Sequence, residues 1–130
     1  MPQITKGGKW VFSWVIVGPQ REINIPPEAY AEYSFQPGEA VIFLRGSRRS
    51  GGFSVGRRAK LETSQTPLLQ RAFGQGEIGE GGRIEAPLES GGQPGDRLLA
   101  IRGSGFVVPF IARGPIFQRA LTNDEIETYG

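Results

Sequence analysis

The chain has 130 residues, 20 of them glycine and 10 proline, with neither cysteine nor histidine and a formal net charge of +2. This length suits one domain, residues 1–130, that buries a core without staples, while the composition excludes disulfides, thiolate chemistry and the commonest general base and metal ligand. No apolar run approaches the roughly 20 residues of a bilayer span, and MPQITKGGKW lacks the apolar stretch of a signal peptide, so the expectation is a soluble, cytoplasmic protein without cofactor or membrane partner.

Strands are predicted along most of the chain. The β-branched and aromatic run WVFSWVIV, residues 10–17, reads as a buried strand ended by Gly18 and Pro19. REINI, residues 21–25, alternates so that Ile23 and Ile25 share a face, and Pro27 suits the first turn of a short helix over EAYAEY. Residues 40–45 and 53–57 read as a hairpin across GSRRSGG. Residues 59–75 read as a polar linker. GRIEAP (82–87), QPGDRLLAIRGS (93–104) and GFVVPFIAR (105–113) supply the later strands, with LESGG replacing the helix by a loop. After Pro115, residues 115–130 read as a helical tail in which Thr122 and Glu125 form a T-x-x-E capping box.

The chain repeats itself. QPGEAVIFLRGS at 36–47 returns as QPGDRLLAIRGS at 93–104, and REINIP returns as GRIEAP. The repeat halves span about 10–58 and 76–114. Each half holds too few strands to cover its own edges, so two halves about an approximate twofold axis are expected to form one domain. A unit present only twice argues against a solenoid. The predicted fold is all-β with short helices, a small pseudo-twofold closed β-barrel.

The order strand, G-R-x-x-x-P, short helix, P-G-[DE], strand, glycine turn, strand resembles the AbrB/MazE/SpoVT family of swapped-hairpin domains. It is also similar to the related cradle-loop barrels, including double-psi barrels, in which a "GD box" recurs once per half. The resemblance places these boxes at Gly38-Glu39 and Gly95-Asp96 and makes the protein two fused AbrB-like halves. Both boxes read as structural, the glycine taking a backbone angle other residues resist and the carboxylate accepting from turn amides. The resemblance further implies double-stranded DNA as partner, contacted by arginines on loops. The arginine of G-R-x-x-x-P is matched by Arg83, where the first half carries Glu22 preceded by Arg21.

Charge distribution points independently towards a polyanion. Arg45, Arg48, Arg49, Arg57, Arg58 and Lys60 lie within sixteen residues free of acidic side chains, whereas the remainder holds nine basic and thirteen acidic residues. Arginine offers a flat donor fork for phosphate or guanine edges, and glycines let a loop approach a backbone closely. The candidate nucleic-acid-binding residues are therefore Arg45, Arg48, Arg49, Arg57, Arg58, Lys60 and Arg83.

Other chemistry finds little support. Gly74, Gly76 and Gly79 lie in the connector and open no helix, so they make no dinucleotide fingerprint, and the serines lack a histidine. Trp10, Phe12, Trp14, Phe43, Phe53, Phe106 and Phe110 read as core. No metal site and no catalytic residue is expected. The leading reading is a non-enzymatic AbrB-like DNA-binding transcriptional regulator. The alternative is a β-barrel module that binds a protein or small ligand without nucleic acid, as monomer or homodimer.

Overall fold

A computed structural model describes residues 2–3, 10–87 and 92–129. The first half folds as β1 (Val11–Ile16), β2 (Glu22–Asn24), α1 (Pro27–Glu32), β3 (Ala40–Arg45) and β4 (Phe53–Arg57). There follow α2 (Arg58–Ser64), a 3-10 turn over Pro67–Arg71, β5 (Ala72–Glu77), β6 (Arg83–Glu85), β7 (Arg97–Ile101), β8 (Val108–Ile111), α3 (Pro115–Leu121) and β9 (Thr128–Tyr129). The chain is mostly β with a few short helices, and no described helix is long and apolar enough to cross a membrane.

Two expectations are corrected here. Residues 59–75 are no polar connector: they carry most of α2, whose Leu61 is fully buried, then the 3-10 turn and the start of β5. The second half thus begins earlier than 76. In the tail, Thr122 is not the start of a helix but the C-cap of α3, its hydroxyl donating to the Arg119 carbonyl at 2.9 Å. The Glu125 amide instead donates to the Asn123 side chain, and the chain then runs into β9 beside β1. The loop expected at LESGG falls largely on residues 88–91, which lie outside the described residues.

Strand pairing shows why the sequence repeats. The seven-stranded sheet runs β5-β3-β4-β8-β7-β1-β9, and β2 pairs with β6 in a separate ribbon. Each half lends its first strand to the other: β1 pairs with β7, and β5 pairs with β3. At the centre β4 meets β8 and β2 meets β6, like on like, with Ser54 opposite Pro109 and Ile23 opposite Ile84. These two pairs mark an internal twofold axis. Both β1 and β5 carry a bulge, at Phe12 and Phe73, which are corresponding positions. The described ladder has two ends, β5 and β9, and does not close on itself through hydrogen bonds.

Both faces of β3 and β7 are buried, which is why VIFL and LLAI are continuous apolar runs without alternation. Val41 and Phe43 of β3 and Leu98 and Ala100 of β7 face a central cluster with Phe12, Val15, Ile23, Phe53, Val55, Ile84 and Phe110. The alternate residues face outward under the helices. Ile42 and Leu44 pack with Leu61 of α2, while Leu99 and Ile101 pack with Ala120 of α3. Each fully buried Leu or Phe contributes about 1.5–3 kcal/mol of transfer free energy.

The duplicated QPG[DE] turns have matching geometry. Gly38 and Gly95 adopt φ of 78° and 91°, angles that favour glycine. Glu39 Oε1 accepts from the Gln36 amide at 3.2 Å, and Asp96 Oδ2 accepts from the Gln93 amide at 2.9 Å. The backbone amides of the two glycines donate to Ile78 and Val17, the last residues leading out of β5 and β1. Each turn thereby fastens one half to the other.

Candidate nucleic-acid interface

The seven basic residues singled out in the sequence are spread over several elements. Arg45 pairs with Phe53 at one end of the β3–β4 ladder, and Arg57 pairs with Val41 at the other. At about 3.3 Å per residue, β4 holds these two ends more than 10 Å apart. Arg83 stands elsewhere, on the β2–β6 ribbon.

Four of the seven are engaged within the protein. Arg57 Nε donates to Glu39 Oε2 at 2.7 Å, a half-buried ion pair. Arg58 reaches Glu62 one helical turn on, at 3.2 Å. Lys60 donates to the Gly105 carbonyl at 2.7 Å and lies 5.6 Å from the Phe106 ring. Arg83 donates to Gln20 at 3.0 Å and lies 3.5 Å from Glu22. The first hairpin keeps Arg45, Arg48 and Arg49, all exposed and without an ion pair to any described residue.

That hairpin is held by its own backbone. The Gly51 amide donates to the Ser47 carbonyl at 2.8 Å, and the Ser50 amide to the Ser47 hydroxyl at 3.0 Å. The Ser50 carbonyl accepts from both Ala112 and Arg113, at 2.9 and 3.0 Å, which fastens the turn to the end of β8. Gly52 takes φ of 65°, and a methyl group there would overlap the Phe110 carbonyl. Glycine is required at this close approach.

Two residues that the sequence did not single out complete the site. Arg113 folds against the turn, its Nε and Nη2 donating to the Arg48 carbonyl at 3.3 and 2.9 Å. The other N–H donors of its fork meet no acceptor among the described residues. Phe73, at the β5 bulge, is half-buried, with the Arg45 guanidinium 6.0 Å from its ring centre. Arg45, Arg48, Arg113, Phe73 and the backbone of Gly46, Ser47, Gly51 and Gly52 line a cleft of about 440 Å³. A second hollow of about 570 Å³ shares Gly52 and Arg113 and adds Asp96 and Arg97, whose guanidinium lies 4.0 Å over the Trp14 ring.

The second hairpin is arranged differently. Its turn, GSGFV, has five residues where GSRRSGG has seven, and it lacks the arginine pair. Arg102, the counterpart of Arg45, is paired with Glu32 of α1. The Gly103 amide donates to the Tyr33 hydroxyl at 3.1 Å, and the Tyr33 ring meets Phe12, counterpart of Phe73, edge-on at 6.3 Å. Helix α1 thus closes in one half what is open in the other. The segment from Pro26 to Gln36 holds nine residues between its ends, and that from Pro87 to Gln93 holds five, too few for the same helix and loop.

Among the aromatic residues read as core, Phe12, Trp14, Phe43, Phe53 and Phe110 are buried, Phe106 is half-buried and Trp10 is exposed. No described group of three or more acidic side chains is disposed to hold a metal. No protein-family model and no curated protein matches the chain.

Proposed function

We propose that the protein is a cytoplasmic, non-enzymatic DNA-binding regulator of the AbrB-like kind, and that it grips DNA with its first hairpin. The observation that carries this reading is that Arg45, Arg48 and Arg49 of the glycine-built hairpin, and Arg113 folded against it, have no carboxylate partner among the described residues. An ordered loop with unpaired guanidinium groups presents positive charge at little cost in conformational entropy. Because β5 and β8 flank β3 and β4, the part of this hairpin that can approach the major groove is the arginine turn, where arginine recognises guanine edges and further arginines serve phosphates. The wrapping of the sheet and the β2–β6 ribbon about one central cluster is in keeping with the two-half barrel of that fold.

The reading narrows the contact set. Arg57, Arg58, Lys60 and Arg83 are engaged with groups of the protein itself, and Arg113 joins the hairpin in their place. Because Arg102 is neutralised by Glu32, one chain offers one basic hairpin. A palindromic site would require two copies.

The test is a salt-titrated DNA-binding assay on the wild type beside the Arg48→Ala, Arg49→Ala double variant. The wild type binds at low salt, with affinity falling steeply as salt rises, and the variant loses about two from the slope of log K against log salt. Absence of binding at low salt ends the proposal.

A further inference from the structure

We infer that the cleft beside the first hairpin takes one unpaired nucleotide, its base on the Phe73 ring beneath Arg45 and its phosphate on Arg113 and Arg48. The inference rests on the reading that the first hairpin binds DNA, and it replaces the duplex by an unpaired strand as the form this cleft prefers.

Three observations carry it. The first is chemical: guanidinium groups and an aromatic ring lie together in one cleft. A phosphate requires only the guanidinium groups, while a flat base requires the ring. The Arg45 guanidinium lies 6.0 Å from the centre of the Phe73 ring, slightly too near to admit a flat base as they stand. This exposed arginine therefore lifts outward for a base to meet the ring on one side and the planar cation on the other.

The second observation is of size and continuity. The cleft is about 440 Å³, within the usual range of roughly 300–1,000 Å³ for small-ligand pockets and too small for a base-paired duplex. It shares Gly52 and Arg113 with the adjoining hollow, where Arg97 continues the positive side and Asp96 adds one negative group. A strand leaving the cleft would have this second hollow as its path.

The third is an internal comparison. Across the twofold axis the corresponding ring, Phe12, is buried and covered by Tyr33, and the corresponding arginine is tied to Glu32. The same bulge therefore supplies a buried ring in one half and, in the other, a ring that packs on the core while leaving part of its surface in the cleft. Phe73 packs against the central cluster but is only partly buried and lines the cleft with the rest of its surface, whereas its twin is buried.

The experiment measures fluorescence anisotropy with one end-labelled oligonucleotide, single-stranded and then annealed to its complement. The proteins are the wild type, Phe73→Leu, Phe73→Tyr and Arg45→Lys, each checked for its thermal midpoint. The wild type is expected to bind the single strand at least about tenfold more tightly than the duplex. Phe73→Leu loses about tenfold on the single strand with duplex affinity within about twofold of wild type, and Phe73→Tyr restores single-strand binding. Arg45→Lys, which keeps charge but loses the flat face, weakens the single strand several-fold while leaving the salt slope unchanged.

Equal affinity of wild type for both forms, or full single-strand affinity in Phe73→Leu, overturns the inference and leaves the hairpin reading standing. Absence of binding to either form at low salt overturns both.

Discussion

Arg102 Nε donates to Glu32 Oε2 at 2.8 Å, joining the first turn-flanking arginine of the second hairpin to the last residue of α1, seventy positions earlier. This hydrogen bond holds the Glu32 carboxyl below its usual range, and partial burial works the other way. A lowered folded-state pKa means that the stabilisation is present above the unfolded value and is lost as pH falls through the folded one. The pair is largely exposed, so the effect is small and screened by salt. Glu32→Gln should lower the urea midpoint slightly at pH 7, with the difference from wild type vanishing at acidic pH once the carboxylate is protonated. A difference that persists unchanged in acid would show that the pair is not its source.

The same substitution has a second consequence. Releasing Arg102 gives the second hairpin an unpaired arginine, so Glu32→Gln should tighten DNA binding at low salt and add about one to the salt slope. Isotherms at several salt concentrations check it; a slope equal to wild type would place Arg102 away from the bound DNA.

Glycine positions separate turn strain from close contact. Gly95 has φ of 91° with nothing within 4 Å of an added methyl group, so Gly95→Ala should cost about 1 kcal/mol, the backbone penalty alone. Gly52→Ala adds overlap with the Phe110 carbonyl and should cost more, while also displacing the arginine turn. Denaturant melts of both variants, with the DNA assay on Gly52→Ala, test this. Equal stability losses would mean that the hairpin yields to the methyl group.

Arg57 and the arginine pair at the turn should behave in opposite ways. Arg57→Gln removes the partner of the half-buried Glu39 and should cost about 1 kcal/mol of stability with DNA binding nearly intact. Arg48→Ala with Arg49→Ala should leave the melting midpoint unchanged and weaken DNA binding. Strong loss of binding in Arg57→Gln at unchanged stability would return Arg57 to the interface.

Each lobe of outer core rests on one helix. Leu99 is fully buried beneath α3, so Leu99→Ala should cost about 2–5 kcal/mol by equilibrium unfolding. Ile42→Ala, under α2 at 8% exposure, should cost towards the lower end of that range.

Strands with an apolar pattern were legible in the sequence: β1, β3, β4, β7 and β8 all coincide with runs buried on one face or both. β5 was not. AFGQGE carries two glycines and no clean alternation, and it is a strand because β3 offers it an edge. Reading it as connector displaced the start of the second half. The T-x-x-E at 122–125 failed for a related reason: threonine serves either end of a helix, and here its hydroxyl bonds back to Arg119. At the candidate site, sequence proximity grouped Arg57, Arg58 and Lys60 with the hairpin, yet β4 carries them to its far end. Arg113 and Phe73 were missed because their nearness to Arg45 and Arg48 arises from pairings of β4 with β8 and β3 with β5, which join the two halves.

The exchange of first strands between the halves also governs how the chain reaches this state. Val11 pairs with Ile101 and Val15 with Leu98, so neither half can finish its sheet from its own residues. Ordering these pairs closes loops on the order of 80–90 residues, an entropic toll met before the contacts reward it, and such topologies fold in milliseconds to seconds. A half emerging first during synthesis would therefore wait with β3 exposed on one edge until β5 arrives.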